Sequence, residues 1–84
     1  MMEIIANTLP SGERAFVEGE IRAALGERMA TGVWEVSLLD SARPPGFLVV
    51  IRAPERQFRR TWFFRARTEP FQAIIAGSLA SAGI

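Results

Sequence analysis

The chain has 84 residues, and a domain of this length buries only about 60–65% of the surface of its unfolded chain, so its core must be dense. Hydrophobic residues make up 49%, and the absence of cysteine and histidine excludes a disulfide framework and the usual zinc sites. The net charge is +1, yet residues 1–40 are acidic and residues 41–84 are basic. We expect a single domain over residues 1–84.

Residues 1–10 precede the first predicted helix. Ile4 and Ile5 are apolar, so this segment is either flexible or an edge strand. Glu3 stands where a signal peptide needs basic residues, and the charge-free segment over residues 71–84 is shorter than the roughly 20 apolar residues of a membrane span. We therefore expect a soluble cytoplasmic protein that does not bind a membrane.

The first predicted helix begins at Gly12 or Glu13, with Ser11 as its expected cap and Glu13 in the positive first turn. It ends near Gly26 or continues to Ala30. Its buried stripe follows helical spacing and consists of Val17, Ile21, Ala24 and Leu25.

Three alternating segments, residues 33–39, 47–53 and 58–67, predict strands, and their short connections favour an antiparallel meander. A loop over residues 40–46 with two consecutive prolines joins the first two. The apolar face that the strands share consists of Trp34, Phe47, Val49, Ile51, Trp62 and Phe64.

The last predicted helix has Thr68 as its cap and Glu69 and Pro70 in its first turn. Its expected core stripe consists of Phe71, Ile74, Ile75, Ser78, Leu79 and Ala82. The resulting fold class is α+β in two layers, ordered helix, three-stranded meander, helix, with both helices on one face of the sheet.

This order of elements is similar to that of the double-stranded-RNA-binding domain. That family contacts RNA through its first helix, the loop between its first two strands and a basic start of its last helix. Here the loop offers only Arg43, the last helix starts beside Glu69, and the first helix is net acidic. The similarity therefore implies the topology and not the RNA-binding function.

Chemistry is limited by the residue types present, because histidine, cysteine, lysine and tyrosine supply most general bases, nucleophiles and Schiff-base amines and are all absent. The phosphate-loop, dinucleotide and nucleophile-elbow motifs are also missing. We expect a protein that is not an enzyme and that holds no metal or cofactor.

One candidate binding surface lies on the second and third predicted strands, where basic residues flank an aromatic one. It could bind an anion or a nucleic acid by neutralising phosphates and stacking a base, or it could be an ordinary solvated face on which Glu35 pairs with an arginine. Its members are Arg52, Arg59, Phe63, Arg65 and Arg67.

The outer face of the last helix is the second candidate surface, because no charge follows Glu69. We expect Gln72, Ala76, Ala80 and Gly83 to form a contact surface for a homodimer or another protein partner, unless the small residues serve only to bring the two helices together. The resulting hypothesis is a non-enzymatic protein-interaction module that self-associates. The alternative is a nucleic-acid-binding module that uses the arginine-rich face.

Overall fold

The computed structural model describes residues 1–56 and 58–84, and within them the chain forms four β-strands and two α-helices. In chain order these are β1 (Met2–Asn7), α1 (Ser11–Leu25), β2 (Trp34–Ala42), β3 (Pro45–Arg52), β4 (Arg59–Phe64) and α2 (Phe71–Ser81). Short 3-10 segments cover Gly26–Thr31 and Pro54–Arg56. The predicted α+β class with two helices is confirmed, but the predicted number of strands, three, is wrong.

The additional strand, β1, lies at one edge of a sheet with the strand order β1-β2-β3-β4. It runs parallel to β2, so α1 is the crossover of a β-α-β unit, while β2, β3 and β4 form an antiparallel meander. A bulge between Ile4 and Ala6 interrupts the alternation of β1 and hides it from pattern analysis. The similarity in order to the double-stranded-RNA-binding domain therefore does not extend to the first strand.

The β2–β3 hairpin is tighter than the predicted seven-residue loop. Ala42 pairs with Pro45, so only Arg43 and Pro44 separate the two strands. Pro45 is the first residue of its strand, a position where the missing backbone N–H does not break the ladder. Pro44 therefore lies in a two-residue turn and Pro45 at the start of a strand, and not in a seven-residue loop.

Both helices begin differently from the predicted caps. Pro10 and Pro70 occupy the N-cap positions, neither helix has a side-chain cap hydrogen bond, and the proposed capping roles of Ser11 and Thr68 are wrong. The backbone N–H of Glu13 instead donates to the carbonyl oxygen of Pro10 at 2.9 Å. The rigid φ of proline sets the direction in which each chain segment enters its helix.

One hydrophobic cluster unites the buried residues of both helices and of the inner side of the sheet. The predicted stripe of α1 is buried throughout, but in α2 only Phe71, Ile75 and Leu79 are buried, whereas Ile74 is 42% exposed. The indole N–H groups of the two tryptophans in this cluster both donate a hydrogen bond. That of Trp34 donates to the carbonyl oxygen of Arg28 at 2.7 Å, and that of Trp62 donates to the hydroxyl of Ser78 at 3.2 Å.

Candidate functional site

The side chains of the sheet that do not join the core cluster form a second surface, here called the outer face. They alternate with the buried residues along β2, β3 and β4, and each is exposed or half-buried. The outer face of these strands consists of Glu35, Ser37, Leu39, Leu48, Val50, Arg52, Arg59, Thr61 and Phe63. It includes Arg52, Arg59 and Phe63 of the predicted surface.

The middle of the outer face is apolar. Leu39, Leu48 and Phe63 stand opposite one another across β2, β3 and β4, and Phe63 is 38% exposed. Val50 is the next residue of β3 on the same face as Leu48. Ile5 of β1 is 53% exposed, and it borders a shallow cleft of about 300 Å³ that Leu39 and Val50 also line. These five residues are called the apolar patch.

A row of four charges crosses all four strands beside the apolar patch. Glu3 of β1 pairs in register with Glu35 of β2, which pairs with Arg52 of β3, which pairs with Arg59 of β4. The charge row therefore holds two acids on one half of the sheet and two bases on the other. Among residues 1–56 and 58–84, none of the four takes part in an ion pair within 4.0 Å.

The basic end of the charge row borders a cleft of about 920 Å³ at the end of the sheet. Arg52, Arg56 and Arg59 line it, together with the carboxylates of Glu35 and Glu55. Because both signs of charge meet in this cleft, it is not a uniformly basic groove of the kind that follows a phosphate backbone.

Arg65 lies outside the sheet, because β4 ends at Phe64 and not at Arg67 as predicted. The chain turns here, and the backbone N–H of Arg65 donates to the carboxylate of Glu69 at 3.3 Å. The side chain of Arg65 is exposed beside the outer face but is not part of its strand register.

Arg67 joins three separate parts of the chain. Its guanidinium donates to the carboxylates of Glu13 in α1 at 2.7 Å and of Asp40 in β2 at 3.2 Å, and it lies 4.6 Å from the ring centre of Phe47 in β3. Its side chain is only 22% exposed. The structure therefore places Arg67 in an internal contact and away from Arg52 and Arg59.

Replacement of Arg67 by alanine should lower the free energy of unfolding by about 1–2 kcal/mol, because it removes the cation–π contact and two ion pairs whose carboxylates are partly solvated. Arg65→Ala is the matched control, and a change within about 0.5 kcal/mol is expected there. Urea unfolding followed by tryptophan fluorescence measures both. Equal stabilities of the two variants would contradict the structural role of Arg67.

The four residues of the predicted helical surface lie in different environments in the fold. Ala80 is exposed, whereas Gln72 is half-buried and Ala76 packs partly against the core. Gly83 lies beyond the end of α2 with a positive φ of 75°. Gln72 borders a cleft of about 180 Å³ that Phe16 of α1, 56% exposed, also lines.

Sequence reasoning missed Glu3 and Ile5, which enlarge the outer face onto β1. The signal was the alternation of Met2 and Ile4 with Glu3 and Ile5, because the first pair packs against the core and the second pair is exposed. The bulge beside Ile5 makes that signal short, and only the pairing with β2 gives it meaning.

Residues 1–56 and 58–84 contain no group of three or more acidic side chains arranged to hold a metal ion, and none of the helices within them combines the length and the apolar character that a membrane crossing needs. Comparison of this chain with protein-family models, with curated proteins and with solved structures found no match. The outer face is therefore interpreted from its own residues.

Proposed function

We propose that this protein is a non-enzymatic interaction module that binds a protein surface, and specifically a second copy of itself, through the outer face of its sheet. The observation that carries the proposal is the apolar patch, because five hydrophobic side chains lie together there and two of them, Ile5 and Phe63, are exposed. Contiguous exposed apolar surface bordered by charges is typical of protein-binding sites.

We infer that both helices cover the inner side of the sheet and leave the outer face uncovered. In support, Phe71 of α2 lies 5.5 Å from Phe47 and 5.8 Å from Phe64, ring centre to ring centre. Val17 and Ile21 of α1 belong to the same buried cluster. A two-layer fold with one bare sheet face needs a polar face or a partner, and this face is only partly polar.

The outer surface of α2 is a weaker candidate for the contact. Ala76, one of the four predicted contact residues, packs partly against the core. The exposed positions Ala73, Ile74, Gly77 and Ala80 carry no charge but offer only one large side chain, Ile74. We therefore assign self-association to the outer face and use α2 as the comparison.

Sedimentation of two charge-insertion variants tests this assignment. Leu48→Glu should weaken the dimer at least tenfold, because it buries a carboxylate at the centre of the apolar patch. Ala80→Glu, the matched control on α2, should leave the dimer unchanged. Circular dichroism must show that both variants keep their fold.

If Ala80→Glu lost the dimer while Leu48→Glu kept it, the interface would lie on α2 and not on the outer face. A wild-type chain that stays monomeric up to about 500 μM would remove self-association altogether.

Nucleic-acid binding is the second candidate, favoured by the three arginines that line the cleft at the end of the sheet. The carboxylates in the same cleft oppose it, since phosphates would approach Glu35 and Glu55 as well. Short RNA and DNA added at low salt to the same sedimentation samples should therefore leave the mass of the protein unchanged. A salt-sensitive gain in mass would favour this candidate.

A further inference from the structure

We propose that the second copy docks sheet against sheet about a two-fold axis parallel to the strands, so that the acidic half of each charge row faces the basic half of the other. This inference rests on the proposed function, since it specifies the orientation of the self-association. It is carried by the order of charges in the row.

The order of the four charges is what makes the row self-complementary. Adjacent strands lie about 4.8 Å apart, so Glu3, Glu35, Arg52 and Arg59 are evenly spaced along a line of about 14 Å. Rotation about an axis that runs along the strands between β2 and β3 reverses this line. Glu3 then faces Arg59 of the second copy, and Glu35 faces its Arg52.

The other face-to-face two-fold arrangement, with its axis across the strands, keeps the order of the row instead of reversing it. Glu35 would then face Glu35 and Arg52 would face Arg52 wherever the two rows meet. Like charges brought together at an interface cost several kcal/mol. Where the rows do not meet, their charges make no contact between the copies, so the axis parallel to the strands is the arrangement that brings opposite charges of the row face to face.

The apolar patch fits the same arrangement. Leu39 and Leu48 lie on the two central strands at the same level, so the rotation places Leu39 of one copy over Leu48 of the other. It also places β1, which carries Ile5, over β4, which carries Phe63. Sheets that pack face to face lie about 10 Å apart, a distance that these side chains fill.

The size of the face sets the expected strength. Four strands of about six residues form a surface of roughly 20 Å by 20 Å, so a pair would bury on the order of 1,000 Å² in total. This is at the lower end for specific complexes, where weak and transient association is usual. We therefore expect a dimer that forms at micromolar concentrations and dissociates on dilution.

The test uses charge reversal at the two central positions of the row. Glu35→Arg and Arg52→Glu should each raise the dissociation constant of the homodimer about tenfold or more, because each places like charges face to face twice in the symmetric pair. An equimolar mixture of the two variants should recover the wild-type dissociation constant within about threefold, since every facing pair in the heterodimer is again of opposite charge.

Glu35 and Arg52 are also cross-strand neighbours within one chain, and mixing cannot restore the charge pattern that a reversal changes there, so rescue by the mixture reports contacts between chains. The double variant E35R/R52E, in which facing charges are also opposite, should dimerise like the wild type. Sedimentation equilibrium from about 1 to 500 μM measures all five samples, and urea unfolding confirms that each variant is folded.

A wild-type dimer that neither single reversal weakens, or one whose reversals are not rescued by mixing, would overturn the proposed axis and leave self-association intact. A wild-type monomer at every concentration would instead overturn the proposed function. Recovery by both the mixture and the double variant is the result that supports the docking geometry.

Discussion

Replacement of Gly46 by alanine is expected to destabilise the folded chain by about 2–4 kcal/mol. Gly46 lies at the start of β3, next to the β2–β3 turn, with a φ of 150°, a region that residues with a side chain rarely adopt. A Cβ at this position would overlap the carbonyl oxygen of Phe64 on β4 and would come within 2.7 Å of the Phe63 ring. Because the first obstacle is backbone, a side-chain rotation cannot relieve it.

Gly19→Ala is the matched control for this prediction. Gly19 is exposed within α1, and a Cβ there would meet no heavy atom within 4 Å, so this variant should gain about 0.5–1 kcal/mol. Urea unfolding followed by the fluorescence of the two buried tryptophans measures both variants. A Gly46→Ala variant as stable as the wild type would show that β3 and β4 do not approach each other as closely as described.

Replacement of Phe47 by alanine is expected to remove about 3–5 kcal/mol of stability. The ring of Phe47 is fully buried and lies 5.4 Å from Phe64 and 5.5 Å from Phe71, measured between ring centres. The guanidinium of Arg67 also lies over it. The substitution therefore opens a cavity between the sheet and α2 and removes the surface on which Arg67 rests.

Phe47→Leu retains most of the volume and should cost about 1 kcal/mol, so the difference between the two variants measures the cost of the cavity. A double-mutant cycle of Phe47→Leu with Arg67→Ala isolates the contribution of the guanidinium. The arrangement described here requires Phe47→Ala to be much the less stable of the two variants, and equal stabilities would refute it.

The sheet and its core could largely be predicted, because alternation along a strand and a stripe along a helix are local signals. Trp34, Phe47 and Ile51 were assigned to the core from spacing alone and are fully buried or nearly so. The strand β1 could be predicted only as one of two alternatives for residues 1–10, an edge strand or a flexible segment. It pairs in parallel with β2 across the whole of α1, and no local pattern specifies such a distant partner.

The candidate site was predictable in part for the same reason. Arg52, Arg59 and Phe63 alternate with buried neighbours, so their period predicts that they share the outer face. Arg67 follows the same period, but the chain leaves the sheet after Phe64, and tertiary contacts with Glu13 and Asp40 decide its position. The charge row could not be predicted without β1, because only the pairing of β1 with β2 places Glu3 beside Glu35.

The position of β1 also affects the order in which the chain can fold. The loops of the meander are short, so β2, β3 and β4 can pair as soon as they are complete, whereas residues 8–33 separate β1 from β2. During synthesis β1 leaves the ribosome before β2 and must keep Ile4 and Ile5 solvated until β2 follows. We expect the meander to form first, and β1 with α1 to dock onto it as the last step of folding.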